Sequence, residues 1–384
     1  MTPAEKARLA QDGIAALRAG DAHTARARFS QLPDPPWMLL AQACNRLADT
    51  DGELAALQSQ LAEDFRHLPA LLAAGELHAR LGDQRAASSF FRTAIAQAAV
   101  SNIPAPMLPL IERARQFVAA SGDHFHQHLL DSLSTAGLLD GPGHSRMRHA
   151  IDLLSGKVPL YLQQPSMFYF PGLPQRAFYE RDEFAWLAQM EAEIPAMRAE
   201  LLRHLEKGAA FRPYIETLPG LPAPNNPLRD STDWSAHYFL KGGLPVPENA
   251  SRCPATMKAL EIPQLPEIAG RSPVALWSIL KPDTHIAPHH GLFNTRLICH
   301  IPLIIPPDCA LRVGAETRAW EDGKALIFDD SFEHEAWNRS DQTRIILLFP
   351  IWRPEISEDE KAALSHLFAA INRFGSNPPA TDSY

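Results

Sequence analysis

A repeat constrains this chain more than any other feature. Gly13, Gly20, Asp21, Ala25 and Phe29 return as Gly75, Gly82, Asp83, Ala87 and Phe91, each 62 positions later. That offset is close to twice a helical hairpin of about 34 residues, and a weaker middle copy is expected to turn near Asp49-Thr50-Asp51-Gly52. Small residues, Gly13 with Ala25 or Gly75 with Ala87, let two helices approach closely while Phe29 and Phe91 fill the groove. Each hairpin leaves an apolar face that the next must cover, and stacked hairpins offer an extended surface to a peptide.

This spacing resembles tetratricopeptide repeats and implies an all-α domain over residues 1–120. Residues 121–164 read as further helix and then a connector, marked by Gly141-Pro142-Gly143 and Gln163-Gln164-Pro165. Proline becomes frequent beyond it, and a helix is predicted from about Glu183 to Glu206. After Ser272 the pattern changes to short strand-like runs: Ala275–Leu280, Thr295–Ile305, Ala325–Phe328 and Arg344–Ile351, spaced as in an all-β sandwich or barrel. A last charged helix is expected over Ser357–Arg373. The fold class is therefore α+β in two domains, the second spanning 165–384.

Composition removes several functions. The net charge of -8 argues against nucleic acid as a partner, because neutralising phosphates needs a basic surface. Cys44, Cys253, Cys299 and Cys309 form no CxxC pair, which supports neither a zinc ribbon nor a disulfide framework. The N-terminus lacks an apolar signal core and no stretch of about 18 apolar residues occurs. The expectation is a cytoplasmic protein with no transmembrane segment.

The chemistry concentrates in two segments. Pro288-His289-His290-Gly291 is followed 45 positions after His289 by His334, within Phe328-Asp329-Asp330-Ser331-Phe332-Glu333-His334-Glu335. Two histidines on separate strand-rich segments suit one divalent metal ion, since imidazole nitrogen binds iron and zinc well. In most non-haem iron oxygenases a carboxylate two residues after the first histidine completes the ligand set; here that position is Gly291. Alternation places Arg296, Ile298 and His300 on one strand face. Arg344 opens a strongly apolar strand, where a buried guanidinium needs an acidic partner. Asp329, Asp330, Glu333 and Glu335 read either as a solvated acidic turn or as carboxylates orienting a metal-bound histidine. The segment 316–324 reads as a hairpin with Gly323 at its turn.

From Ser278 to Trp352 the chain resembles the catalytic core of the aspartyl/asparaginyl β-hydroxylase family. The resemblance is carried by His285, Pro288-His289-x-Gly291, Asn294, Arg296-Leu297, His300, Glu316-Thr317-Arg318-x-Trp320-Glu321-x-Gly323-Lys324, the 328–335 segment and Arg344. Weaker similarity runs back to Pro165. The resemblance implies a double-stranded β-helix (jelly-roll) domain that uses Fe(II), O2 and 2-oxoglutarate to hydroxylate the β-carbon of Asp or Asn residues. It implies that His289 and His334 bind the metal, that Ser278, His300 and Arg344 hold 2-oxoglutarate with Arg296 beside them, and that Asp330 acts through a metal-bound water. Members of the family lack the carboxylate ligand, as Gly291 requires. Animal members carry a second arginine two residues before His300, where this chain has Ile298.

The leading expectation is a hydroxylase of a peptide or protein presented by the helical repeats. Hydroxylation of a lipid acyl chain or small molecule is the second reading, and a catalytically inactive adaptor is the third.

Overall fold

The structure, a computed structural model, describes residues 1–374 apart from 101, 140–144, 209–210, 218–219, 221 and 269. Gly141-Pro142-Gly143 lies outside the described residues. The chain divides into two compact units, Met1–Val158 and Pro159–Tyr384.

The first unit is helical: α1 (Pro3–Arg18), α2 (Ala22–Phe29), α3 (Trp37–Arg46), α4 (Thr50–Glu63), α5 (Leu68–Arg80), α6 (Gln84–Ala99), α7 (Leu108–Thr135) and α8 (Ser145–Leu154). α7 is a single 28-residue helix that runs through residue 120. Asp21, Asp49 and Asp83 cap α2, α4 and α6 in the same way, each carboxylate accepting an N–H three residues on. Such caps satisfy a donor that the helix itself cannot. The three caps place the middle copy 28 residues after the first. At that offset Ala48 (φ 55°) stands where the outer copies have Gly20 (φ 86°) and Gly82 (φ 79°), which is why the middle copy is faint in the sequence.

The same offset pairs Ala41 with Leu57 where the outer copies pair Gly13 with Phe29 and Gly75 with Phe91, and all six are buried. A Cβ on Gly75 would stand 2.5 Å from the Phe91 ring, and that ring is packed against Phe117 at 5.1 Å between centroids. Gly75→Ala is therefore expected to destabilise the unit by up to about 2 kcal/mol, overpacking of about 1–3 kcal/mol being set against a gain of about 1 in helix propensity. Adding Phe91→Leu, which recreates the middle copy's Ala/Leu pair, should restore most of the loss in urea unfolding.

The second unit holds twelve strands among the described residues: β1 (Phe178–Tyr179), β2 (Arg212–Pro213), β3 (Trp234–Lys241), β4 (Leu244–Pro245), β5 (Ala275–Leu280), β6 (Thr284–His289), β7 (Arg296–Ile304), β8 (Cys309–Val313), β9 (Glu316–Ala319), β10 (Leu326–Phe328), β11 (His334–Asn338) and β12 (Arg344–Trp352). The larger sheet runs β1-β10-β7-β12-β5-β3-β2 with β4 beside β3; the smaller runs β6-β11-β8-β9. All ladders are antiparallel, and from β5 onward the chain crosses repeatedly between the sheets, so β5–β12 form a double-stranded β-helix.

β5, β7 and β12 are buried along almost their whole length. The outward row, Trp277, Leu297, Cys299, Ile301, Leu347 and Phe349 among them, joins a core completed by α9 (Leu187–Ala192) and α10 (Ile194–Glu206). The inward row meets the smaller sheet in a second core. Covering both faces turns a sheet's alternating pattern into continuous apolar runs. The helix predicted over Glu183–Glu206 is instead two, because Pro195 begins a new helix where its missing N–H costs nothing. α11 (Pro247–Ala250), α12 (Pro254–Ala259) and the closing helix α13 (Glu358–Phe374) complete the unit. The expected 316–324 hairpin is also corrected: β9 pairs back onto β8, and the Gly323 turn (φ 76°) carries the chain to β10 in the other sheet.

Candidate active site

The smaller sheet brings the two histidines together through a defect in its pairing. Thr284, Ile286, Ala336 and Asn338 are buried while His285 and Pro288 are exposed, so strict alternation would turn Pro288 inward and His289 outward. The ladder between β6 and β11 slips instead, from Ile286↔Ala336 to His289↔His334. The extra residue on β6 is a β-bulge, a device that re-aims a side chain. Both imidazoles thereby face the interior, with ring centroids 4.1 Å apart.

Each ring is held by a carbonyl two residues earlier: His289 Nδ1 lies 2.8 Å from Ala287 O and His334 Nδ1 3.0 Å from Phe332 O. A carbonyl only accepts, so Nδ1 carries the proton and Nε2 keeps its lone pair, the arrangement of metal-ligating histidines. Burial is the main cause lowering both pKa values, that of His334 well below the usual range. Neutral imidazoles are the form that binds metal. Among the described residues no three His, Cys, Asp or Glu side chains converge as a metal-holding group. The donors this pocket could offer a metal ion are the two imidazoles.

Asp330 explains the missing carboxylate. A Cβ on Gly291 would stand 2.2 Å from Asp330 Oδ2 and 2.3 Å from its Cγ, so the Asp330 carboxylate fills the space of a side chain at 291. The Gly291 N–H also donates to Asp330 O at 2.6 Å, tying together the loops that follow β6 and precede β11. Gly291→Ala should thus displace Asp330, costing about 1–3 kcal/mol in thermal unfolding together with turnover. In an Asp330→Ala background the same substitution should cost much less, because the two positions share one volume.

The acidic-turn reading of 329 and 330 fails, since both are fully buried. Asp329 accepts from Arg353 and from Gln163, each at 2.7 Å, and from Ser331, and Arg353 is buried too. This pair anchors the segment around residue 163 to the end of β12. Glu333 and Glu335 instead bind Arg312, with Glu335 also meeting His285 at the exposed side of the smaller sheet.

The pocket between the sheets is lined by His289, His334, Asp330, Arg296, Ser278, His300 and Arg344 together with apolar side chains including Ile298. The sequence candidates thus share one cavity. Arg296 is turned to Asp330, Nη2 to Oδ2 3.4 Å, with its guanidinium over the Phe293 ring. Its place is beside Asp330, at the end of the pocket that carries the two imidazoles. Ile298 lies in the wall opposite Phe328, an apolar face where animal relatives were expected to bring a cation.

Arg344 is the unusual group. It is 1% exposed, and its contacts are the Ser278 hydroxyl at 3.5 Å and the Trp320 ring at 5.1 Å. No carboxylate among the described residues pairs with it, and burial lowers its pKa to about 10. Arg344 Nε, His300 Nδ1 and Trp320 Nε1 are buried without hydrogen-bond partners. Burial and then Arg344 keep the His300 pKa well below the ordinary value. A cluster of buried donors around a cation with no counter-ion could accept a small carboxylate. Trp234, which lines the pocket and whose Nε1 donates to Ser278 at 3.2 Å, is a site residue that the sequence did not single out, while Trp320 of the quoted motif packs on Arg344.

A family profile described as aspartyl/asparaginyl beta-hydroxylase matches residues 191–354. An ornithine lipid ester-linked acyl 2-hydroxylase from Rhizobium tropici is 34% identical over 179 residues, covering 46% of this chain and 60% of its own. Aspartate beta-hydroxylase domain-containing protein 2 from Xenopus tropicalis is 32% identical over 216 residues, 54% of this chain and 55% of its own. The human aspartyl/asparaginyl beta-hydroxylase is 39% identical over 146 residues, 38% of this chain and 19% of its own. The chain therefore spans 60% or less of each of these relatives.

Proposed function

Because residues 191–354 belong to the aspartyl/asparaginyl β-hydroxylase family, we propose that this protein is a hydroxylase dependent on Fe(II), O2 and 2-oxoglutarate. The observation that carries the reading is Arg344, a buried guanidinium with no carboxylate partner among the described residues, in the same pocket as two Nε2-presenting imidazoles.

In this reading His289 and His334 would hold the iron, which when bound would supply the O2 chemistry of hydroxylation. Arg344 takes the distal carboxylate of 2-oxoglutarate in a two-bond geometry, with Ser278 and His300 beside it. Asp330 faces the metal end as acceptor for a bound water, oriented by Arg296. The dry walls made by Ile298, Phe328 and Ile346 exclude bulk water, and the protein's task is to position the substrate C–H.

Two substrate classes fit the relatives' names, an Asp or Asn side chain in a peptide and a lipid acyl chain. The peptide reading gives the helical unit a role in presenting a polypeptide; the acyl reading needs no cation for the substrate. The test of the reaction class is succinate release by the full chain with Fe(II), ascorbate and 2-oxoglutarate. Decarboxylation that needs both iron and the chain supports it, and none above the iron-only control overturns it.

A further inference from the structure

Between residues 315 and 324 only Trp320 is buried. Its neighbours on β9 and in the Gly323 turn are exposed or half-buried, so this connection between the two sheets places a single side chain inside, an indole 5% exposed. Both ends of the connection are fixed: Ala319 is paired with Ala310 on β8, and the Ala325 N–H donates to Glu191 Oε1 at 2.8 Å.

The indole stands behind two groups that line the pocket. Arg344 Cζ lies 5.1 Å from its ring centroid, and the His300 ring is stacked against it at 5.9 Å and 27°. Arg344 meets no carboxylate among the described residues, and its other side-chain contact is the Ser278 hydroxyl at 3.5 Å.

A guanidinium taken out of water needs compensation, and what supplies it decides which donors remain. A carboxylate behind Arg344 would hold the cation by accepting its N–H groups. A ring face attracts the charge through its quadrupole, most strongly in tryptophan and in a desolvated site, and leaves the in-plane N–H groups to other acceptors. In keeping with this, Arg344 Nε and His300 Nδ1 are buried without hydrogen-bond partners. Trp320 also joins the apolar cluster between the sheets, but filling that core asks only for volume. The indole Nε1 is itself buried without a partner, a cost that a phenylalanine or leucine would not carry.

We propose that Trp320 is a positioning residue: its ring face stands in for a counter-ion behind Arg344 and fixes the guanidinium and the His300 imidazole, so that their donors stay free for an acidic ligand in the pocket. That the ligand is 2-oxoglutarate rests on the hydroxylase reading; the coupling of Trp320 to Arg344 does not.

The test places progressively fluorinated tryptophans at position 320, which keep the shape of the indole and weaken its negative face. In the metal-free full chain the thermal midpoint should fall along the series, by roughly 4–8 °C at its end. In an Arg344→Leu background it should not move. A midpoint indifferent to fluorination, or one that falls equally without Arg344, overturns the proposal. The second arm is calorimetry with Mn(II) bound: Trp320→Leu should weaken 2-oxoglutarate roughly tenfold or more with Mn(II) affinity unchanged, while Trp320→Phe, which keeps a ring face, should stay within a few-fold of wild type. A Trp320→Leu protein that binds 2-oxoglutarate as wild type does overturns the proposal, and so does one that loses Mn(II) and 2-oxoglutarate together, since the indole would then only support the fold. Should Trp320→Leu not fold, the fluorination series decides. Wild type that binds no 2-oxoglutarate would overturn the hydroxylase reading, and the midpoints of the series would still decide the role of Trp320.

Discussion

Replacing His334 by alanine is expected to reduce succinate release to the level of Fe(II) in buffer, with the fold retained. The substitution removes one of the two imidazoles that are paired across β6 and β11 and held through Nδ1 by a backbone carbonyl, so that Nε2 is the nitrogen left to bind a metal. A partially loaded site would not rescue turnover, because one protein ligand cannot fix both the ion and the co-substrate bound to it. His289→Ala should give the same result. His285→Ala is the informative control: its ring is turned to Glu335 at the exposed side of the sheet, so activity should stay within a few-fold of wild type. Equal losses at all three positions would mean that folding, and not metal binding, was measured.

The second large effect concerns Arg344. Lowering its pKa from 12.5 to about 10 corresponds to a charge carried at a cost of roughly 3 kcal/mol. Arg344→Met removes that cost at similar volume, and replacing buried charges by apolar side chains is often stabilising by about 1–4 kcal/mol. Without ligands the variant should therefore unfold at a higher temperature than wild type. With Mn(II) and 2-oxoglutarate the order should reverse, since only wild type gains a counter-charge for its guanidinium. The apparent KM for 2-oxoglutarate should rise roughly 10²–10⁴-fold, the size expected when one partner of a buried charged pair worth about 3–5 kcal/mol is lost. A variant less stable than wild type in the absence of ligands would show that Arg344 has a protein partner and would remove the argument for an acidic co-substrate.

Much of this architecture was legible from periodicity. The runs at Ala275–Leu280 and Arg344–Ile351 emerge as β5 and β12 almost to the residue, because strands covered on both faces are apolar throughout. The strands of the smaller sheet were not marked out, as Thr284–His289 and His334–Asn338 mix charged, apolar and proline residues on an open outer face. The family resemblance singled out His289, His334, Asp330, Ser278, His300 and Arg344, and all six line one pocket. What spacing could not supply was the bulge at Ala287-Pro288, without which alternation would turn His289 outward. Nor could it tell that Asp329 is buried against Arg353. Adjacent carboxylates on a turn differ only in which loop packs against each.

The most direct measurement is anaerobic calorimetry with Mn(II) in place of iron. The account predicts one ion bound per chain, 2-oxoglutarate binding that strengthens once the ion is present, loss of the ion in His289→Ala and His334→Ala, and loss of 2-oxoglutarate alone in Arg344→Met. Ion binding that survives in both histidine variants, or 2-oxoglutarate binding indifferent to Arg344, would contradict it.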